Sequence, residues 1–188
     1  LDGMMLLKEN DATNVLVGAI DEITNTSHTI LNRLGLYKQG SVSNLDIYKT
    51  KTKGTIAGEG AAFFLLAAEP SATDYAKLDG LHTFYKPEGS AAIEKQISSF
   101  LEGQNLSISD IDLVITGKNG DASSDEIYDE LSRTIFSNKE TINYKYLCGE
   151  YPTAASFAMW LAAATIKAGK LPPALGPAVS PDKKINRI

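Results

Sequence analysis

The sequence predicts an α/β layered fold with a largely buried, partly parallel sheet, and three observations carry that prediction. Short apolar runs rich in β-branched residues, Val15–Ile20 and Ile111–Thr116, lack the polar alternation of a strand with one wet face. Segments with apolar residues at helical spacing, Ser90–Glu102 and Glu126–Phe136, alternate with strand-like runs in the second half. The third observation is the stretch Tyr144–Gly169, where a short strand, a Cys-Gly-Glu turn and an alanine-rich helix follow one another.

In chain order, Leu1–Lys8 reads as the last turns of a helix and Val15–Ile20 as a strand ended by Asp21 and Glu22. From Thr24 to Thr55 the chain is polar and reads as a long surface excursion with at most a short helix around His28–Leu34. Lys49, Lys51 and Lys53 alternate along its exit, as on a solvated edge or a face that meets an acidic partner. Gly58 and Gly60 punctuate the entry to a second apolar strand. Both allow positive φ or close backbone approach, and Glu59 between them needs a hydrogen-bond partner wherever it is buried.

Tyr75–Tyr85 suits a strand interrupted by Gly80, and Ser90 reads as the N-cap of a helix that turns Ile93, Ile97, Phe100 and Leu101 inward. The third strand, Ile111–Thr116, leads into a Gly117–Asp121 turn and a helix opened by Ser123, Ser124 and Asp125, with Ile127, Leu131 and Ile135 inward. The amides of that turn can receive an anion, although a plain tight turn is the simpler reading. A strand ending at Leu147 then passes through Cys148, Gly149 and Glu150 into a helix opened by Pro152 and Thr153 and closed by Gly169. That helix is apolar nearly all round and is expected to be buried on most faces. Pro172, Pro173, Pro177 and Pro181 read as an extended linker before a strand that begins at Ile185.

With 188 residues, 43% of them hydrophobic and 22% charged, the chain fits one soluble domain spanning 1–188. A net charge of −5 argues against a nucleic-acid partner, which needs a basic face for phosphates. The longest apolar run is too short and too small in side chain to cross a bilayer, so no membrane partner is expected. One cysteine excludes an internal disulfide, and with two separated histidines it supplies no metal cluster; no cofactor is expected, and a reducing cytoplasm fits. The chain opens without an initiator Met inside a helix and stops as a strand begins, so it is expected to be a fragment of a longer protein.

Three segments in order resemble the C-terminal portion of the β-ketoacyl-(acyl carrier protein) synthases, which have the thiolase-like fold. Gly54-Thr-Ile-Ala-Gly58-Glu59-Gly60-Ala61 is similar to the family's G-x-x-x-G-E-G-A. Asp112 to Asp125 is similar to D-x-V-x-x-H-G-T-G-T-x-x-x-D without a gap, and Lys145 to Glu150 followed by Ala154-Ala155 resembles K-x-x-x-G-H-x-x-G-A-A. Val15–Glu22 is similar to the strand that ends in the family's G-x-x-E, so the resemblance spans nearly the whole chain.

The resemblance implies a thiolase-like layered fold, C-terminal half, with a mixed, mostly parallel sheet and a buried alanine-rich helix. It implies acyl carrier protein and a second synthase copy or partner synthase as partners. It also implies a cysteine nucleophile, upstream of Leu1, and two histidines that assist decarboxylation and hold the enolate. Here Gly117 stands at the first histidine position and Glu150 at the second, while Lys145 and Asp125 are retained and Tyr128 replaces a glutamate. Gly117 has no side chain to move a proton. An ionised Glu150 is an acceptor only and repels a carboxylated extender.

Cys148 is a candidate thiol activated by a helix end and Lys145, set against a small buried residue; Glu150 and Lys145 read as a structural ion pair or as base and partner. His28 and His82 share no motif and read as hydrogen-bonders. Three functions stay open: a non-catalytic partner like a chain-length factor, an acyltransferase or condensing enzyme with an upstream cysteine, and an acyl-ligand or protein-binding module. The resemblance also implies that the alanine-rich helix is covered by a preceding piece or second copy. A solvent-exposed Phe157–Trp160 face in a monomer would count against it.

Overall fold

The computed structural model of the chain describes residues 1–172, 175 and 184–188. Its elements run α1 (Asp2–Lys8), β1 (Asn14–Asp21), α2 (Asn25–Arg33), β2 (Gly60–Ala67), α3 (Gly89–Gly103), β3 (Leu113–Thr116), α4 (Ala122–Arg133), β4 (Glu140–Asn143), α5 (Lys145–Cys148) and α6 (Ala155–Ala168). The α/β class holds. The strands form two separate pairs, however, β1 with β2 antiparallel and β3 with β4 parallel, so among the described residues only the second is parallel.

The β3–β4 pair carries the core. Leu113 and Ile142 lie with Tyr144, Tyr151, Ala154, Leu161, Leu175 and Ile185 in one buried cluster. Parallel pairing needs a crossover, and α4 supplies it. Because the pairing register is Thr116↔Asn143, both strands end at the same edge and deliver Gly117 and Lys145 to one place.

The β1–β2 pair differs from expectation. The strand at Val15–Ile20 forms, but it is not covered on both faces: Leu16 and Ile20 are 67% and 70% exposed, and across the ladder Phe63 and Leu65 are 57% and 71% exposed. α1 packs on the other face, where Gly3 lies against Val15, Val17 and Leu66. An apolar run specifies a strand that would bury both faces; it does not supply a second cover.

Other elements shift. The chain at Tyr144–Leu147 is no strand: β4 ends at Asn143 and α5 makes one helical turn. The residues from Tyr75 to Tyr85 form no ladder and lie over α3, with Gly80 against Phe100 and His82 bonded to Gln96 at 2.8 Å. α3 is capped at Glu88, and Ser90 lies inside it. α4 begins at Ala122, because the Asp121 side chain accepts from the Ser123 and Ser124 amides and so caps the helix ahead of the expected start.

The polar segment from Thr24 to Thr55 is more than a surface excursion. Ile47 is 1% exposed and packs on Gly120, Lys38 donates to the Gly120 carbonyl at 2.8 Å, and the Gly54 amide donates to Asp121. α6 is less enclosed than expected: Leu161 and Thr165 are buried, but Trp160 is 49% exposed, since only one face of the helix meets the β3–β4 core. Gly169 closes it in the left-handed conformation, as read from the sequence. Ile185–Ile188 is not a strand, though its backbone lies beside Asp112, whose amide donates to the Arg187 carbonyl. Of the expected proline linker, Pro173, Pro177 and Pro181 lie outside the described residues.

Candidate functional site

Three segments meet at the shared end of β3 and β4: the turn after β3, the first turns of α4, and the turn after α5. In the first, the Asn119 and Gly120 amides donate to the two oxygens of Asp125, each at 2.9 Å. Asp125 is buried, and the Asp121 amide is taken by the Asn119 side chain at 3.1 Å. The chain thus fills its own amide concavity with a carboxylate, and the simple-turn reading of Gly117–Asp121 fits this geometry better than an external anion.

The turn after α5 brings Glu150 back over Lys145. The two form an ion pair in which the Lys145 side chain is 9% exposed and that of Glu150 29%. Asn119 donates from its side chain to the other Glu150 oxygen at 2.7 Å. Both Glu150 oxygens therefore already have donors. Asn119 was not singled out in the sequence; the signal was an amide two residues past the Gly117 position, flanked by glycines close enough to let it turn inward.

Tyr128, one turn into α4 beyond Asp125, reaches back to Gly117. Its hydroxyl stands 2.6 Å from where a Cβ on Gly117 would lie, so it occupies the space that any side chain at 117 would enter. Burial, together with the Asp125 and Glu150 carboxylates, pushes the phenol up from its ordinary value and keeps it protonated.

Gly58, Glu59 and Gly60 border the same region. The Glu150 amide donates to the Ile56 carbonyl at 2.8 Å and the Gly58 amide to the Glu150 carbonyl at 3.0 Å, which stitches the glycine-rich entry to the Glu150 turn. Glu59 is exposed and accepts from the Ile23 amide at 3.0 Å; Gly60 lies under the Tyr151 hydroxyl. A cleft of about 740 Å³ opens here, lined by Gly58, Phe63, Phe64, Cys148, Phe157 and Trp160 among others. Lys145, Glu150 and Tyr128 are not among its lining residues.

Cys148 does line the cleft, half-buried, with its thiol toward the Gly149 carbonyl at 3.4 Å. Burial pushes its thiol up from the ordinary value, against a smaller opposing pull from Lys145. No imidazole assists it: His28 stacks on Tyr37 with ring centroids 5.1 Å apart, and His82 belongs to the α3 surface. Among the described residues no group of three or more His, Cys, Asp or Glu side chains is placed to hold a metal ion, and no helix is long and apolar enough to cross a membrane.

No protein-family profile and no curated protein matches the chain. Solved structures do. It is similar to the ishigamide ketosynthase/chain length factor with a TM-score of 0.69 at 17% identity, over 100% of this chain and 49% of that one. It is similar to a β-ketoacyl synthase from Burkholderia phymatum STM815 with a TM-score of 0.60 at 20% identity, over 100% of this chain and 50% of that one. A type II PKS acyl-carrier protein in complex with its ketosynthase bound to the hexaketide matches with a TM-score of 0.68 at 16% identity, over 100% of this chain and 52% of that one. The chain spans about half the length of the structures it matches. Trp160 is half exposed, which the sequence reading counted against this assignment, yet the match runs the full length of the chain. At these identities the likeness is one of fold: the chain has the thiolase-like fold of the ketosynthases.

Proposed function

We propose that the chain is part of a β-ketoacyl synthase-like protein of fatty-acid or polyketide-type biosynthesis, working in the cytoplasm as a non-catalytic, chain-length-factor-like partner of an active synthase. One observation carries this reading. The two positions at which the resemblance puts imidazoles hold Gly117, whose side-chain space is taken by Tyr128, and Glu150, whose oxygens are engaged by Lys145 and Asn119. Decarboxylative condensation needs donors aimed at a developing enolate, and a paired carboxylate offers none. The likeness to a ketosynthase/chain length factor and to a ketosynthase in complex with an acyl-carrier protein supports the choice of partners, a synthase copy and acyl carrier protein.

The test is reconstitution. The full-length protein alone is expected to show neither condensation nor malonyl decarboxylation, and to restore product formation when mixed with a cognate synthase. Activity in isolation would sink the proposal. A second reading, an acyl-ligand module, is favoured by the cleft walled by Phe63, Phe64, Phe157 and Trp160; it predicts acyl binding with no synthase present. The third, an acyltransferase with an upstream cysteine, requires a covalent acyl adduct in the intact mass after incubation with acyl thioester.

A further inference from the structure

β2 has a ladder on one side only. Its partner is β1, and no other described strand pairs with it. Just past the ladder the Ala68 amide donates to the Thr13 carbonyl at 3.0 Å, which fixes the alternation, since in an antiparallel pair every second residue turns its amide and carbonyl to the partner. Gly60, Ala62, Phe64 and Leu66 therefore face β1. Ala61, Phe63 and Leu65 present their amides and carbonyls to the opposite edge, where they form no hydrogen bond with another described residue. The Phe63 ring does not close that edge, because it lies back across Gly18 of β1.

The cleft beside Cys148 runs along this edge. Successive strand residues point their side chains to opposite faces, yet the unbroken run Gly60–Phe64 lines the cleft, as happens where a cavity opens on the edge itself. Cys148, Phe157 and Trp160 complete an apolar wall, and Glu59, the one charged residue lining it among the described residues, stands at the Gly60 end. Exposed Glu22 leaves the sheet at that same end, because Asp21 pairs with Gly60. Donors and acceptors that repeat every second residue, roughly 6.8 Å apart, are matched by another extended backbone and by no small ligand. We infer that the free edge of β2 is a docking site for an extended segment of a partner protein, about five residues long, apolar at alternate positions and basic at the end that meets Glu59. The site stands whichever of the functions above the protein serves.

The experiment is residue-resolved hydrogen exchange of the full-length protein with and without the peptide acetyl-Lys-Val-Thr-Val-Thr-Val-amide. A second peptide, N-methylated at every residue, keeps the side chains and loses the backbone donors. The Ala61 and Phe63 amides are expected to exchange freely in the protein alone and to slow about tenfold or more with the first peptide, while Ala62 and Phe64, already held by β1, do not change. The methylated peptide is expected to bind about tenfold or more weakly, the size of one to two backbone hydrogen bonds. Ala61→Pro removes only an outward amide, so it is expected to melt like the parent and lose the peptide; if it melts early, the methylated peptide on the parent protein decides. Four results overturn the inference: Ala61 and Phe63 already protected in the protein alone, protection that grows with protein concentration as a second copy takes the edge, slowing spread evenly over β2 as from an apolar ligand in the cleft, or equal binding of the two peptides.

Discussion

Gly58 and Gly149 face one another with their backbones in contact: a Cβ on Gly58 would lie 2.1 Å from the Cys148 carbonyl oxygen, and one on Gly149 would lie 2.6 Å from the Gly58 Cα. Gly149 is further confined by its positive φ of 74°. Gly169 has a similar φ of 69°, yet its nearest neighbour to a Cβ is a flexible Lys184 carbon at 3.8 Å. The two therefore separate conformational cost from steric cost. Gly169→Ala is expected to lose about 1 kcal/mol. Gly149→Ala and Gly58→Ala are expected to lose about 2–4 kcal/mol, because backbone rather than side chain must move. Urea denaturation of the three variants checks the order, and equal losses would contradict it.

Removing the Asp125 carboxylate leaves the Asn119 and Gly120 amides without acceptors in a region shielded from water. Asp125→Ala is expected to destabilise by about 2–4 kcal/mol, whereas Asp125→Asn, which keeps one acceptor oxygen, loses roughly half as much. Thermal melts of both variants test this. A silent Asp125→Ala would show that the turn is held by other contacts.

For Lys145 and Glu150 the informative quantity is coupling. Glu150→Gln strands a nearly buried ammonium and is expected to cost about 2–3 kcal/mol; Lys145→Met together with Glu150→Leu should cost less than the two single changes added. A double-mutant cycle measures it. On the proposed function, Glu150→His alone is expected to yield no malonyl decarboxylation, since Tyr128 still fills the side-chain space at Gly117.

Cys148 is expected to be a slow nucleophile. Its thiol is raised by burial, so the thiolate fraction at neutral pH is smaller than that of a free cysteine. Alkylation by iodoacetamide at pH 7.5, followed by intact mass, should run behind a model thiol and accelerate in alkaline buffer. A rate equal to that of the model thiol would revive Cys148 as a reactive group.

Asp121 contributes to stability in acid. Its carboxyl is held far below the usual carboxylate value of 3.8 by hydrogen bonds from Ser123, the Gly54 amide and the Ser124 amide. A folded-state pKa below the unfolded one means the stabilisation is fully present above about pH 4–5 and is lost as acid protonates the folded form. Asp121→Asn should flatten the fall in melting temperature between pH 5 and pH 2. An unchanged acid slope would place the acid-labile group elsewhere.

Much of the site was legible in the residues. Close approach at Gly58, left open in the sequence beside a positive φ, and the pairing of Lys145 with Glu150, left open beside a general base, were both among the readings the residues offered. What escaped was geometry that depends on distant partners. Tyr144, Tyr146 and Leu147 look like strand residues, yet Lys145–Cys148 makes one helical turn, which turns Lys145 back toward Glu150. Ile47, a lone apolar residue in a polar stretch, shows no periodicity from which its burial against Gly120 could be read. The openness of Leu16, Ile20, Phe63 and Leu65 depends on what covers a strand, and an apolar run reports only that it could be covered.

The Asp125 carboxylate seated on the Asn119 and Gly120 amides gives the turn a shape that needs no guest. In hydrogen-exchange terms, those two amides should be protected from deuterium in the protein alone, and adding an acyl ligand or carrier protein should leave their rates unchanged. A turn shaped by its substrate would instead slow on ligand addition. Here the turn is held by its own helix, so its form persists whether or not any chemistry takes place beside it.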